Sequence, residues 1–361
     1  MKKHNYSAGP CILPQEVFEK SADAILNFNN SGLSILEISH RSKDFVAVMD
    51  EAQALALDLL GLTGKGYQAL FLSGGASLEF LMVPYNLMQT NGKAAYLDTG
   101  TWASAAIKEA KFFGETLVVA SSKEQNYNHI PKDYVVPSDA NYFHCTSNNT
   151  IFGTQMRTFP TLNMPIVCDM SSDIFSRVLD FSKFDIIYAG AQKNMGPAGT
   201  TLVIIKEEIL GKTGRDIPSI LDYQKHIKAE SMYNTPPVFP VYASLLTLQW
   251  LKNLGGIAAI EKLNNAKAAL LYSEIDRNPY FKGAANVEDR SNMNATFLLK
   301  NEAHAPIFDT LWKEAGISGL PGHRSVGGYR ASMYNALPIE SVQVLVDVMQ
   351  DFEDKVAKMN F

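Results

Sequence analysis

From residue 67 onward, short apolar runs alternate with longer helix-forming stretches, and this rhythm constrains the fold more than any other feature of the chain. YQALFLS is followed by GGA and the helical SLEFLMVPYNLM. KAAYLD is followed by TWASAAIKEAKFFG, and then come ETLVVAS, NYFHCTS, MPIVCDM and FDIIYAG. Runs buried on both faces and separated by helices predict a mostly parallel α/β sheet covered on both sides. Such sheets bind ligands beyond the carboxyl ends of their strands, so the turns after these runs are where chemistry is expected. TTLVIIK, after the turn AGAQKNMGPAG, is expected to return as an antiparallel strand.

The flanks differ from this centre. An extended, proline-punctuated opening, NYSAGPCILP, leads into the helix QEVFEKSADAILNF. A second helix, DFVAVMDEAQALALDLLG, has apolar residues at helical spacing and Gly61 at its C-terminal end. After about residue 255 the pattern becomes α+β: a long helix GGIAAIEKLNNAKAALLYSEID, the strand ATFLLK, the helix FDTLWKEAG, the segment GHRSVGGYRAS and a last helix from Pro338. A chain of 361 residues exceeds what one core supports. The expected division is a large domain over 16–255 and a small one formed by 1–15 and 256–361, hinged at Leu254–Gly256.

A net charge of −5 gives no reason to expect nucleic acid or an anionic membrane as partner, so an anionic ligand must be met by locally clustered cations. No signal segment is apparent at the start, and no apolar run reaches the length of a membrane span. Cys11, Cys145 and Cys168 have neither disulfide-framework nor zinc spacing, which fits a reducing cytoplasm and no metal site.

Five features converge on one ligand. Lys193 lies in the turn AGAQKNMGPAG between two apolar runs. A lysine enclosed there loses solvation, and its amine becomes a nucleophile able to form a Schiff base; read alone, the position is better accounted for by a solvated loop lysine. Asp169 ends MPIVCDM, where a carboxylate can pair with a pyridinium nitrogen or cap a helix. LSGGASLEF turns from strand to helix through two glycines, an outline of a phosphate cradle without the GxxxxGK[ST] or GxGxxG pattern. Trp102, in DTGTWAS, offers a flat plate or a packing side chain. Thr150, in SNNTIFG, offers a hydroxyl. Aldehyde, ring nitrogen, phosphate, flat ring and phenolic oxygen are the groups of pyridoxal 5′-phosphate.

With these residues in view, the chain resembles the phosphoserine aminotransferase family of fold-type-I pyridoxal-phosphate enzymes. The likeness runs nearly end to end, on SAGP, SHRSKDF, SGGAS, SNNTIFGTQ, CDMSSD, AGAQKNMGPAG, MYNTPP and GHRSVGGYRAS. It implies a large domain with a seven-stranded, mostly parallel sheet and a smaller C-terminal α+β domain. It implies that Lys193 forms the Schiff base and shuttles the proton, that Asp169 pairs with the ring nitrogen, that Trp102 stacks and that Thr150 contacts the ring oxygen. Backbone at Ala76 and Ser77 and the side chain of Gln192 would hold the phosphate, with Asn234 and Thr235 reaching it from the other subunit of a homodimer. The substrates implied are L-glutamate and 3-phosphohydroxypyruvate, exchanged by ping-pong chemistry in serine biosynthesis. The same site would suit the longer phosphorylated oxo acid of pyridoxine biosynthesis.

One substrate is a dicarboxylate and the other joins a carboxylate to a phosphate, so both need an arginine for the shared end and cations for the far end. By the resemblance Arg330 takes the α-carboxylate, while His40, Arg41, His323 and Arg324 surround the distal anion, partly across the dimer interface. Ser77 is a departure, because some members carry arginine there, and it leaves the distal anion one cation fewer. Two other readings compete. A desulfurase-like lyase or small-amino-acid transaminase of the same fold would need a loop cysteine or no distal cations, respectively. A regulatory protein on a silenced enzyme fold would be expected to lose Lys193 or the basic set, and both are present.

Overall fold

The computed structural model describes residues 3–359. Helices α1 (Gln15–Asn27) and α2 (Lys43–Leu59) come first. Ser42 caps α2 by accepting from the Phe45 amide, and Gly61 follows its end at φ +66°, as the sequence position suggests. The alternating segment then gives β1 (Tyr67–Leu72), α3 (Gly75–Leu87), β2 (Lys93–Asp98), α4 (Thr101–Ala110), β3 (Glu115–Ser121), β4 (Phe143–Thr146), β5 (Ile166–Asp169), β6 (Ile186–Gly190), the single turn α5 (Ala191–Asn194) and β7 (Thr201–Lys206).

These seven strands form one sheet in the order β1-β7-β6-β5-β4-β2-β3. β7 runs antiparallel to both its neighbours and the other pairings are parallel, as expected. Strand parity sorts the side chains. Phe71, Leu97, Phe143, Cys145, Cys168, Ile187 and Leu202 face the α2 side with Phe45, Met49 and Ala52. Leu70, Tyr96, Val167, Tyr188 and Val203 face the side covered by Phe80, Met82 and Val83 of α3 and Ala106 of α4. Burial on both faces makes these runs near-continuously apolar rather than alternating. The edge strand β3 is the exception, with Val118 exposed.

Beyond the sheet lie α6 (Tyr223–Lys228), α7 (Val238–Asn253) and α8 (Gly256–Arg277). α7 was not visible in the sequence pattern. Its run VFPVYASLLTLQWLKN is apolar around most of its circumference, because it is buried between α1, α2 and α8. The C-terminal part adds β8 (Phe281–Gly283), β9 (Asn294–Leu299), α9 (Ala305–Glu314), β10 (Tyr329–Ser332) and α10 (Ile339–Met359). β8, β9 and β10 form an antiparallel sheet whose core holds Leu271, Phe297, Phe308 and Phe352. Tyr6 from the opening segment joins that core, and His4–Asn5 pairs with Ile317–Ser318. Among the described residues no helix is long and apolar enough to cross a membrane.

Candidate active site

The register of the parallel strands sets the carboxyl ends of β4, β5 and β6 side by side: Thr146 faces Asp169, and Asp169 faces Tyr188. The next residues therefore share one edge of the sheet. β6 ends at Gly190 and passes directly into α5, which carries Gln192 and Lys193.

The turn is braced on several sides. The amide of Cys11 donates to the Gln192 carbonyl at 3.1 Å, and Gly9 packs so closely that an added Cβ would sit 3.4 Å from Lys193 Cγ. Further along, a Cβ on Gly196 would collide with Ser244 Oγ. One on Gly199, at φ +125°, would meet Pro240 at 2.8 Å. The small residues around Lys193 let this turn press against α7 and the opening segment.

Lys193 is partly buried. Its Nζ donates to Thr150 Oγ1 at 2.9 Å and lies 5.6 Å from the centre of the Trp102 ring. Burial lowers its pKa from the usual lysine value; the Asp169 carboxylate opposes that fall and Arg330 adds to it. Asp169 is almost fully buried, and its Oδ1 accepts from the Ser171 amide at 2.9 Å. Burial pushes the carboxyl up, and Lys193 and Ser171 pull it back. Thr150 joins two charged side chains: its hydroxyl takes the lysine, and its carbonyl accepts from Arg330 Nη1 at 3.4 Å. Arg330 leaves β10 at the same edge, its guanidinium half-buried and its Nε without a partner. Burial lowers its pKa too. His323 lies close enough to Arg330 and Arg324 that burial and both cations depress its imidazolium.

Lys193, Thr150, Trp102, Asp169, Arg330, His323 and Arg324 are thus neighbours in space although 228 positions separate Trp102 from Arg330. α3 follows Gly74, φ +106°, with no side chain capping its first turn, so the amides of Ala76 and Ser77 are in its uncapped N-terminal turn. Asn234 is exposed and lines a cavity of about 160 Å³ together with Ser73 and Gly74, while the neighbouring Thr235 is exposed. His40 and Arg41 lie in the loop before α2, half-buried and exposed respectively, and among the described residues neither hydrogen-bonds Lys193 or Arg330.

This donor set fits pyridoxal 5′-phosphate. It has one enclosed amine with a depressed pKa, one buried strand-end carboxylate, an uncapped helix start for a phosphate, and an arginine with an unused buried N–H. Sequence reasoning missed the polar residues behind the site: Asn194, Asn264, Lys267 and Asn335, all nearly fully buried. Their only sequence signal is asparagine beside the lysine in AQKNM and again in MYNALP.

The sequence pattern of class-V aminotransferases matches residues 4–345. A phosphoserine aminotransferase of Flavobacterium psychrophilum is 84% identical over 99% of this chain and 100% of its own, and one of Flavobacterium johnsoniae is 80% identical over the same shares. Among solved structures, the phosphoserine aminotransferase of Bacillus circulans subsp. alkalophilus superposes with a TM-score of 0.95 at 43% identity, covering 98% of this chain and 99% of that one. The pyridoxal-phosphate-bound enzyme of Trichomonas vaginalis superposes with a TM-score of 0.92 at 36% identity, covering 97% and 100%. With this sheet, this lysine turn and these relatives, the chain belongs to the class-V aminotransferases, fold-type-I enzymes that work with pyridoxal 5′-phosphate, and among them to the phosphoserine aminotransferases.

Proposed function

We propose that the chain moves the amino group of L-glutamate to 3-phosphohydroxypyruvate, reversibly and in two half-reactions, giving O-phospho-L-serine and 2-oxoglutarate for serine biosynthesis. The observation that carries this reading is the meeting of Lys193 and Arg330 on the two ends of Thr150. An amine suited to nucleophilic attack and a guanidinium suited to a carboxylate are both held by one residue.

Bound there, pyridoxal 5′-phosphate supplies the electron sink for the pair released when the substrate Cα–H bond breaks. The protein's own groups do the rest. Lys193 Nζ would hold the cofactor and, once displaced by the substrate amine, would move the proton between the substrate Cα and the cofactor; its depressed pKa suits it as a base nearer neutrality. Asp169 stays charged against the ring nitrogen, and Ser171 fixes its orientation. Trp102, 5.6 Å from Lys193 Nζ, would cover one face of the ring. Ala76 and Ser77 amides, with Gln192, receive the phosphate at the start of α3. Arg330 pairs with the α-carboxylate of either substrate, and His323 and Arg324 take the distal carboxylate or phosphate.

The roles of His40, Arg41, Asn234 and Thr235 follow if the working enzyme is a homodimer, with these exposed residues serving the neighbouring copy's site. The C-terminal segment has its own core, which Tyr6 joins, and this supports a division into 16–255 and 1–15 with 256–361, although Ile257 and Ile260 of α8 pack into the sheet's core. The sparse, free cysteines fit a cytoplasmic setting.

The test is spectral. L-Glutamate should shift the visible band of the purified enzyme into the near ultraviolet, and 3-phosphohydroxypyruvate should restore it. Restoration by other oxo acids but not by this one would leave an aminotransferase with a different acceptor and refute the proposed substrate.

A further inference from the structure

Behind Arg330 and Lys193 runs a buried chain of amides that touches all three site-bearing segments. Asn194, next to the lysine, accepts from the Asn335 backbone N–H at 2.9 Å and donates to the Ile174 carbonyl at 2.5 Å. Asn335 Nδ2 donates to the Phe175 carbonyl at 3.0 Å, and its Oδ1 accepts from Asn264 Nδ2 at 2.8 Å. Asn264 also donates to the Ser176 carbonyl at 3.0 Å. One turn further along α8, Lys267 Nζ donates to the consecutive carbonyls of Met333 at 3.1 Å and Tyr334 at 2.8 Å. Asn194 and Asn335 are 5% and 6% exposed, and Asn264 and Lys267 1% each, so none of these bonds competes freely with water.

The topology of this chain matters more than its strength. Ile174, Phe175 and Ser176 belong to the loop that leaves Asp169, and Phe175 sits in the left-handed region at φ +59°, where a side chain needs outside support. Met333, Tyr334 and Asn335 directly continue the strand that presents Arg330. Asn194 belongs to the lysine turn. Asparagine suits such a junction because it donates at one atom and accepts at the other, so one side chain ties two backbones together.

We propose that Asn335 is a positioning residue for substrate recognition, its side chain holding the Arg330 strand against the loop after Asp169 and against α8 through Phe175 and Asn264. Asn335 touches neither substrate nor cofactor and acts through Arg330. The inference rests on the assignment of Arg330 to the substrate carboxylate.

The experiment uses the cofactor-loaded enzyme and glutarate, an unreactive dicarboxylate of glutamate's chain length, titrated calorimetrically. Asn335→Ala removes one donated and one accepted bond. It should weaken glutarate binding roughly five- to fifteenfold, the effect of one mispositioned charged contact. KM for glutamate should rise by the same factor, with kcat and the pH midpoint of the visible band unchanged. A merely structural defect would instead lower the active fraction, and so kcat, at constant KM. Should Asn335→Ala not accumulate folded, Asn264→Ala takes one donor from the same side chain and should shift glutarate binding about two- to fivefold in the same direction. Unchanged glutarate binding in the folded variant overturns the proposal. Arg330→Ala separates the two claims. If it leaves glutarate binding intact, the carboxylate assignment fails and the positioning role with it. If it alone weakens binding, only the positioning role fails.

Discussion

Thr150→Val isolates one bond in the site while keeping its shape. Valine replaces the hydroxyl by a methyl of similar size, so packing against the buried surroundings is largely retained, but Lys193 Nζ loses its 2.9 Å acceptor. A hydrogen bond to a charged group is worth about 1.5–3 kcal/mol, and one pKa unit corresponds to about 1.4 kcal/mol. The neutral amine can donate to the same oxygen, which cancels part of the difference, and a shift of about one unit remains. Its direction is downward, in the same sense as the burial that already depresses Lys193. The assay is an NMR titration of the lysine side-chain ε-carbons in cofactor-free protein, with the Lys193 resonance assigned by its loss in Lys193→Arg. The midpoint should fall by about one unit in Thr150→Val. A midpoint that stays put or rises would mean that the Thr150 hydroxyl does not favour the protonated amine, and the electrostatic account of the site would be wrong.

The same titration checks Asp169→Asn. The variant keeps an acceptor for the Ser171 amide but deletes the charge that holds the lysine up, so the Lys193 midpoint should also fall. Gly199→Ala should lower the denaturation midpoint, because positive φ and the 2.8 Å approach to Pro240 each cost about 1–3 kcal/mol; unaltered stability would show that the turn does not need glycine. Lys267, pushed down to about 7 by burial, binds its proton less tightly folded than unfolded. Between about 7 and its ordinary 10.5 the unfolded chain holds the extra proton, so wild-type stability should climb with pH across that window relative to Lys267→Met. Parallel pH profiles of the two proteins would contradict it.

The sheet and the lysine turn are legible in the sequence because their signals are local. MPIVCDM places an acid at a strand end, LSGGAS combines two glycines with a helix start, and AGAQKNMGPAG brackets Lys193 with alanines, glycines and a proline that turn and press close. α7 is hidden for the opposite reason: a helix buried all round has no polar face to give it a period. The asparagine junction is hidden because its contacts span 141 positions between Asn194 and Asn335. A lone asparagine in a sequence carries no mark of its partner. The layer formed by Tyr96, His144 and Tyr188 beneath Asp169 is invisible in the same way. His144 Nε2 bonds the Tyr188 hydroxyl at 2.7 Å inside what reads as ordinary strand. Burial holds that imidazole neutral, with a pKa of about 3. The two His-Arg pairs look alike in sequence, yet only His323-Arg324 lies beside Arg330 within one chain; what His40-Arg41 serves depends on assembly rather than on local pattern.

The central claim is that Lys193, alone among the lysines of this chain, holds the cofactor, because its turn encloses it beside Asp169 and Thr150. Borohydride reduction of the loaded enzyme fixes the cofactor to whichever lysine carries it, and peptide mass spectrometry then locates the added mass. The account predicts modification at Lys193 in the peptide spanning AGAQKNMGPAG, and none elsewhere. Modification at another lysine, or retention of the full label in Lys193→Ala, would contradict it.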